Sequence, residues 1–205
     1  FIHEQRLYEA DLVIIHPARL IPRKNIELGL RVVQSLKKRG IKVRYIVTGS
    51  YDPHEPKNVK YYRDLKNMAR ELDTSREVIF ITDYKLNSGD KIIADQKFIR
   101  DLYLVADLLF MPSHSEGFGL PLLEAGLLKL PVACSDIPPF KEIGGDYVCT
   151  FSNSDDHDSI AEKILRFLEK LATHKLYRKV IEDYACESVY NKCLKPMLMR
   201  IIGNM

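Results

Sequence analysis

Pro112-Ser113-His114-Ser115-Glu116-Gly117-Phe118-Gly119-Leu120-Pro121-Leu122-Leu123-Glu124-Ala125 decides the fold, because it joins a strand end, a glycine turn, a helix start and two carboxylates in one run. The apolar Leu108-Leu109-Phe110-Met111 before it reads as a strand buried on both faces, and Pro112, which lacks a ladder donor, ends that strand. Gly117 and Gly119 permit close backbone approach and positive φ, and Pro121 suits the first turn of a helix. Unpaired amides at such a helix start, near Leu120, form an anion site together with the helix dipole, most often for phosphate. Glu116 precedes the turn, and Glu124 lies about 6 Å along the helix at the standard rise. A ligand with a polyol at each end of a diphosphate fits that arrangement. The plainer alternative makes Glu124 a complement to the dipole and Glu116 a solvated loop residue.

Upstream, strands and helices alternate. Leu12-Val13-Ile14-Ile15 is a short β-branched strand, followed by a loop from His16 to Asn25 and a helix with Ile26, Leu30, Val33 and Leu36 on one face. Arg19 and Lys24 flank this strand-to-helix turn, where two cations can clamp a diphosphate or simply be surface charges. Val43 to Thr48 is the second strand, closed by Gly49 and Ser50, and a helix runs from Asn58 to Leu72. Val78 to Ile81 is the third strand; Thr82-Asp83-Tyr84-Lys85 leaves its carboxyl end, and a polar connector from Leu86 to Ala94 leads to a helix from Phe98 to Ala106.

Downstream of the opening stretch, Val132-Ala133-Cys134-Ser135 is a strand ending at Asp136-Ile137-Pro138-Pro139, and Tyr147 to Thr150 is a final short strand. Asp155, Asp156, His157 and Asp158 offer metal-type ligands, but acidic residues ahead of the amphipathic series Ile160, Ile164, Leu168 and Leu171 read better as a helix cap. The tail from His174 to Met205 has helical composition, is kinked or divided by Pro196, and carries an apolar stripe of Tyr190, Leu194, Met197 and Ile201. The pattern predicts an α/β fold with a doubly wound, Rossmann-like parallel sheet at 12–173, a connector at 1–11 and a helical tail at 174–205.

A net charge of +3 over 205 residues, with bases interspersed among acids, argues against nucleic acid as a partner. No apolar run approaches membrane-spanning length. Cys134, Cys149, Cys186 and Cys193 lack metal-type pairing and are few for a disulfide scaffold, which favours a reducing, cytoplasmic setting.

Glu116-Gly117-Phe118-Gly119-Leu120-Pro121-Leu122-Leu123-Glu124, with Glu142 following in Pro138-Pro139-Phe140-Lys141-Glu142-Ile143, resembles the signature of the group 1 retaining glycosyltransferases. The likeness is to the C-terminal, donor-binding domain of these enzymes, which pair two Rossmann domains in the GT-B architecture. It runs from Val13 to about Leu171. It implies that Arg19 and Lys24 hold the donor pyrophosphate, with Arg23 able to share or replace Lys24. It makes Glu116 catalytic toward the sugar hydroxyls and Glu124 the ribose ligand. Gly117, Phe118, Gly119 and Leu120 then bind donor through the turn and helix start. Gly49, Glu142, Tyr84 and Lys85 complete the donor contacts, the last two beside the base. No metal and no cofactor are implied, the nucleotide-diphosphate sugar being substrate. The sequence departs from the family's pattern at Lys129, where glycine is usual, at Pro138-Pro139 in place of a glycine-rich turn, and in the tail, which lacks Trp.

The implied activity is transfer of a hexosyl group such as mannose or glucose to an acceptor glycan, lipid-linked sugar or small molecule. A missing N-terminal domain would supply the acceptor site, leaving this piece inactive alone. The implied location is cytoplasmic, with peripheral attachment at the inner membrane face as a variant. Two rivals remain open: a GT-B-like epimerase or phosphorylase domain, and a non-catalytic nucleotide-binding or interaction module.

Overall fold

The computed structural model describes residues 1–92, 94–171, 176 and 189–202. The chain divides after Ile164 into two compact units. The first holds a six-stranded sheet in the order β3-β2-β1-β4-β5-β6, every pairing parallel. Its strands are β1 (Leu12–His16), β2 (Val43–Val47), β3 (Val78–Phe80), β4 (Leu108–Met111), β5 (Val132–Ser135) and β6 (Cys149–Phe151). The connecting helices are α1 (Ile26–Lys38), α2 (Pro56–Glu71), α3 (Gln96–Val105), α4 (Leu120–Leu127) and α5 (Pro138–Gly144), and α6 (His157–Lys170) follows β6.

All residues of β1, β4 and β5 are buried, as expected of strands covered on both faces. Val13, Ile15, Leu109, Met111, Leu122 and Phe140 share one core cluster that joins the sheet to α4 and α5. β1 lies between β2 and β4, with Ile14 opposite Leu108 and Ile15 opposite Leu109. The strand order therefore reverses between β1 and β4, and the loops leaving their carboxyl ends part there, which is where ligands of open α/β sheets bind.

The structure adds a helix that the sequence reading had as a proline turn. Pro138 and Pro139 open α5, where a missing N–H leaves no bond unmade. For the same reason Pro56 starts α2 two residues before the expected Asn58. The last strand begins at Cys149 rather than Tyr147, because Gly145–Tyr147 forms a 3₁₀ turn. Asp156 accepts bonds from the amides of Asp158 and Ser159 at 3.0 and 3.4 Å, so the acidic cluster caps the start of α6, although ligand atoms of Asp156, His157 and Asp158 lie within 4.8 Å of one another. Burial pushes the thiols of Cys134 and Cys149 up to about 12 and 11, leaving them inert in the core.

In the second unit Tyr190–Leu194 is a π-helical turn that leads into α7 (Lys195–Ile202). Pro196 sits at the second residue of α7, and its missing N–H accounts for the irregular turn before it. Tyr190, Leu194, Met197 and Ile201 are exposed. The helical course expected for 174–188, the boundary at 173 and Cys186 fall outside the described residues, Leu176 apart. Among the described residues no helix is long and apolar enough to cross a membrane.

Candidate active site

The loop after β1 makes a 3₁₀ turn at Pro22–Lys24, and Asn25, at φ 51°, reverses the backbone into α1. Asparagine tolerates this left-handed conformation better than most residues. The turn is tied to the loop after β4, where the amide of His114 donates to the Arg23 carbonyl at 2.9 Å. At this junction Lys24 Nζ donates to Glu116 Oε1. Arg23 Nη1 donates to Glu116 Oε2 at 3.2 Å and to the Ser115 carbonyl at 2.8 Å, and Ser113 Oγ donates to Glu116 Oε1 at 2.7 Å. The side chains of Lys24 and Glu116 are only 11% and 9% exposed, so water screens this pair little, whereas Arg23 reaches solvent. Desolvation, the largest influence on the Glu116 carboxyl, pushes its pKa up; Lys24, Ser113 and Arg23 together outweigh it and leave the group below the ordinary carboxylate range.

Residues that the sequence did not single out hold this carboxylate in place. The Ser113 carbonyl accepts from Ser135 Oγ at 2.6 Å and from Asn153 Nδ2 at 3.1 Å, while Asn25 Nδ2 donates to Asn153 Oδ1 at 3.3 Å. The turn carrying Glu116 is thus braced from the ends of β5 and β6 and from the start of α1. Ser113 and Asn153 lie two residues past β4 and β6, Ser135 ends β5 and Asn25 holds the N-cap position of α1, so position at an element's end was the sequence signal they shared.

The other expected residues fall into separate places. Arg19 and Gly49 line a cleft of about 580 Å³ at the carboxyl ends of β1, β2 and β3, with Thr48, Ser50, Ile81 and Thr82. Arg19 is exposed, and its side chain has no ion-pair or hydrogen-bond partner among the described residues. Gly119, at φ 100°, begins α4, and no side chain caps it; an added Cβ would sit 3.1 Å from the Phe140 ring. Phe118 and Leu120 flank Gly119 and are exposed, as is Gly117. Glu124 accepts a 3.0 Å bond from the Tyr103 hydroxyl, whose proton is retained because burial, then Glu124 itself, raises the phenol pKa. Glu142 is exposed on α5 and makes no bond to Lys24 or Glu116. Lys85 is exposed and bridges to Lys91; Tyr84 turns its hydroxyl to Glu4 and Gln5 rather than to the cleft lining.

Two cations and a carboxylate thus meet across the loops after β1 and β4, where the strand order reverses. Over residues 1–184 the sequence matches the family described as glycosyl transferases group 1. The chain belongs to this family. It is 33% identical over 115 residues to the alpha-1,3/1,6-mannosyltransferase ALG2 of Mus musculus, covering 54% of this chain and 25% of that protein. It is 29% identical over 192 residues to the O-antigen biosynthesis glycosyltransferase WclY of Escherichia coli, covering 88% and 47%. The chain therefore spans about half or less of the length of these relatives. The crystal structure of the C-terminal domain of the group 1 glycosyl transferase LpcC from Francisella tularensis superposes with a TM-score of 0.64 at 22% identity, covering 89% of this chain and 93% of that one. The fold is the Rossmann-like one of the GT-B glycosyltransferases.

The sequence predicts His16 as the first loop residue, but the structure makes it the last residue of β1, paired with Val47 of β2. His16, at the end of β1, is fully buried, with Nδ1 2.5 Å from the Tyr45 hydroxyl. Burial, then the charge of Lys24, lowers its pKa to about 3 from an ordinary 6.5. The unfolded chain therefore takes up this proton first. The stabilisation from keeping His16 neutral is complete above pH 6.5 and is lost as the pH falls toward 3. By pH 5 the loss is about 2 kcal/mol. Unfolding free energies at pH 7.5 and 5 should show this fall in the wild type and a flatter profile in His16→Gln; equal slopes in both would clear His16 of the effect.

Proposed function

We propose that this chain is the donor-binding domain of a retaining glycosyltransferase that takes a nucleoside diphosphate hexose. The observation that carries the reading is the bonding of Lys24 and Arg23 to the Glu116 carboxylate across the loops after β1 and β4, at the reversal of strand order. Lys24 and Arg19, with the α4 amides, hold the diphosphate. Glu116 faces the sugar hydroxyls and Glu124 the ribose. In the reaction the bond from the anomeric carbon to the β-phosphate oxygen breaks through an oxocarbenium-like state. Its electron pair stays on the leaving phosphate, whose oxygen takes the acceptor hydroxyl's proton as the acceptor oxygen bonds the anomeric carbon, and the cations and amides stabilise the growing charge.

The acceptor, a glycan, lipid-linked sugar or small molecule, would be held by a second domain of the same protein that closes over the donor and aligns the acceptor hydroxyl with the anomeric carbon. The cations already supply the positive field that a diphosphate needs, so donor binding requires no divalent metal. The catalytic protein works in the cytoplasm, where nucleotide sugars and reduced thiols belong together.

The deciding experiment is thermal unfolding with UDP-, GDP- and ADP-sugars and their diphosphates, with and without EDTA. A ligand at a hundred times its Kd should add about 2.7 kcal/mol of stability, unchanged by EDTA. No shift with any of them would leave an interaction module as the better reading, and a shift lost to EDTA and restored by manganese would return the metal.

The two glutamates should then separate. Glu124→Gln weakens nucleoside diphosphate binding by about 1–3 kcal/mol, the worth of a charge-assisted hydrogen bond to the ribose, whereas Glu116→Gln spares that binding and impairs transfer in the two-domain protein. Equal effects of both changes on free nucleotide affinity would undo the assignment.

A further inference from the structure

The segment before β1 folds on itself before it meets the sheet. The amides of Gln5, Arg6 and Leu7 donate to the carbonyls of Phe1, His3 and Ile2, and Leu7 is buried. Arg44 Nε on β2 donates to the Gln5 carbonyl at 3.4 Å, which fixes the segment to the sheet. From this base three side chains reach one target. Glu4 accepts from the Tyr84 hydroxyl at 3.0 Å through Oε2 and from the Asn87 amide at 2.9 Å through Oε1. Gln5 Nε2 donates to the same Tyr84 hydroxyl at 2.7 Å. The Phe1 ring meets Tyr84 and Phe98 edge-on, with centroids 5.0 and 5.5 Å away.

The target is the connector between β3 and α3. Lys85 bridges to Lys91, and the amide of Leu86 donates to the Asp90 carbonyl at 2.8 Å, so 84–91 forms a small closed flap. Thr82 just before the flap, Ile92 and Ala94 just after it, and Ile99 beside Phe98 line the 580 Å³ cleft. Tyr84 also packs against the core, and beyond it the described flap residues bond mainly one another. Ser88 and Asp90 bond each other, and Asn87, Ser88, Gly89 and Asp90 are all exposed.

We propose that Glu4, aided by Gln5 and Phe1, is a positioning group for the nucleoside wall of the cleft: it touches no ligand but holds the flap from which that wall hangs. The proposal rests on reading the cleft as a nucleotide site, and it adds a contribution from the start of the chain that the opening motif does not contain. The Asn87 amide, its largest influence, keeps the Glu4 carboxyl below the ordinary carboxylate range, so the group stays an acceptor at neutral pH. Loss of the latch frees the wall against the nucleoside and leaves the diphosphate grip of Lys24 and α4 intact, because those elements have their own braces.

The test compares wild type, Glu4→Ala, Glu4→Gln and Gln5→Ala by titration calorimetry with UDP, GDP, ADP and inorganic pyrophosphate, and by hydrogen exchange over 84–92 without ligand. Glu4→Ala should weaken the best-bound nucleoside diphosphate about tenfold and leave pyrophosphate within about twofold. It should also speed exchange at Asn87 and across the flap. Glu4→Gln, whose amide oxygen still accepts from Asn87, should restore both readouts, and Gln5→Ala should give the same split with a smaller loss should Glu4→Ala fail to fold. Wild-type affinity in both alanine variants overturns the proposal, as does an equal loss of pyrophosphate, which would mean general loosening. A wild-type chain that binds no nucleoside diphosphate refutes the functional reading instead. The exchange data then decide the latch alone, faster exchange upholding it and unchanged exchange overturning it.

Discussion

On the proposed function, Lys24→Ala should lower kcat for sugar transfer, assayed with the proposed second domain present, by about 10²–10³-fold at saturating donor, the usual loss for one preorganised group facing charge that develops in the transition state. The Lys24 side chain is 11% exposed and fixed by Glu116, so its charge acts through little water and needs no reorganisation as the phosphate leaves. Charge on that phosphate is greater in the transition state than in the bound donor, which places the loss in kcat rather than in KM. Lys24→Arg should not restore the rate, because a planar guanidinium cannot take the place of a compact ammonium between Glu116 and a phosphate. Lys24→Ala also leaves Glu116, 9% exposed, to Ser113 and Arg23 alone, at a stability cost of about 1–3 kcal/mol. Steady-state kinetics with a thermal unfolding control measure both effects. A raised KM with unchanged kcat would mean that Lys24 binds ground and transition states alike.

Gly49→Ala lowers stability by about 3 kcal/mol or more, near the upper end for overpacking. A Cβ at Gly49 would stand 2.0 Å from the Ala18 carbonyl oxygen, 2.4 Å from its carbon and 2.6 Å from the Arg19 nitrogen. All three are backbone atoms, so no side chain can swing aside. The two loops are held together by Thr48 N to the His16 carbonyl at 3.3 Å and Leu20 N to the Ser50 carbonyl at 3.1 Å. Forcing them apart strains those bonds and moves Arg19 and the cleft wall with them. Urea unfolding should show a lower midpoint with an unchanged slope, together with weaker nucleotide binding. Gly117→Ala is the control: nothing lies within 4 Å of a Cβ there, and its stability should stay within about 0.5 kcal/mol of wild type. A Gly49→Ala midpoint matching that control would refute the close-approach account.

The sequence by itself determined the strands, most of the helices and the family. Strand identity follows from local runs such as Leu12 to Ile15 and Leu108 to Met111, whose apolar residues have nowhere to go but a sheet buried on both faces. The turn and helix start at Gly119 and Pro121 were equally local, since glycine alone tolerates φ 100° there without strain and proline alone gives up no bond. α5 escaped because two prolines in succession look like a break, although a first helical turn accepts both.

Only the tertiary structure decided which charges meet. Lys24 and Glu116 are 92 residues apart, and parallel pairing of β1 with β4 brings their loops to one edge. Nothing local predicts that Ser135 and Asn153 brace the Glu116 turn, because each acts on the Ser113 carbonyl across neighbouring strand ends. Tyr84 shows the same limit: nothing near it in sequence announces Glu4 and Gln5, which its hydroxyl meets in the fold. A side chain's type follows from the sequence, but its partner follows from strand order and register, which only the packing of the whole sheet fixes.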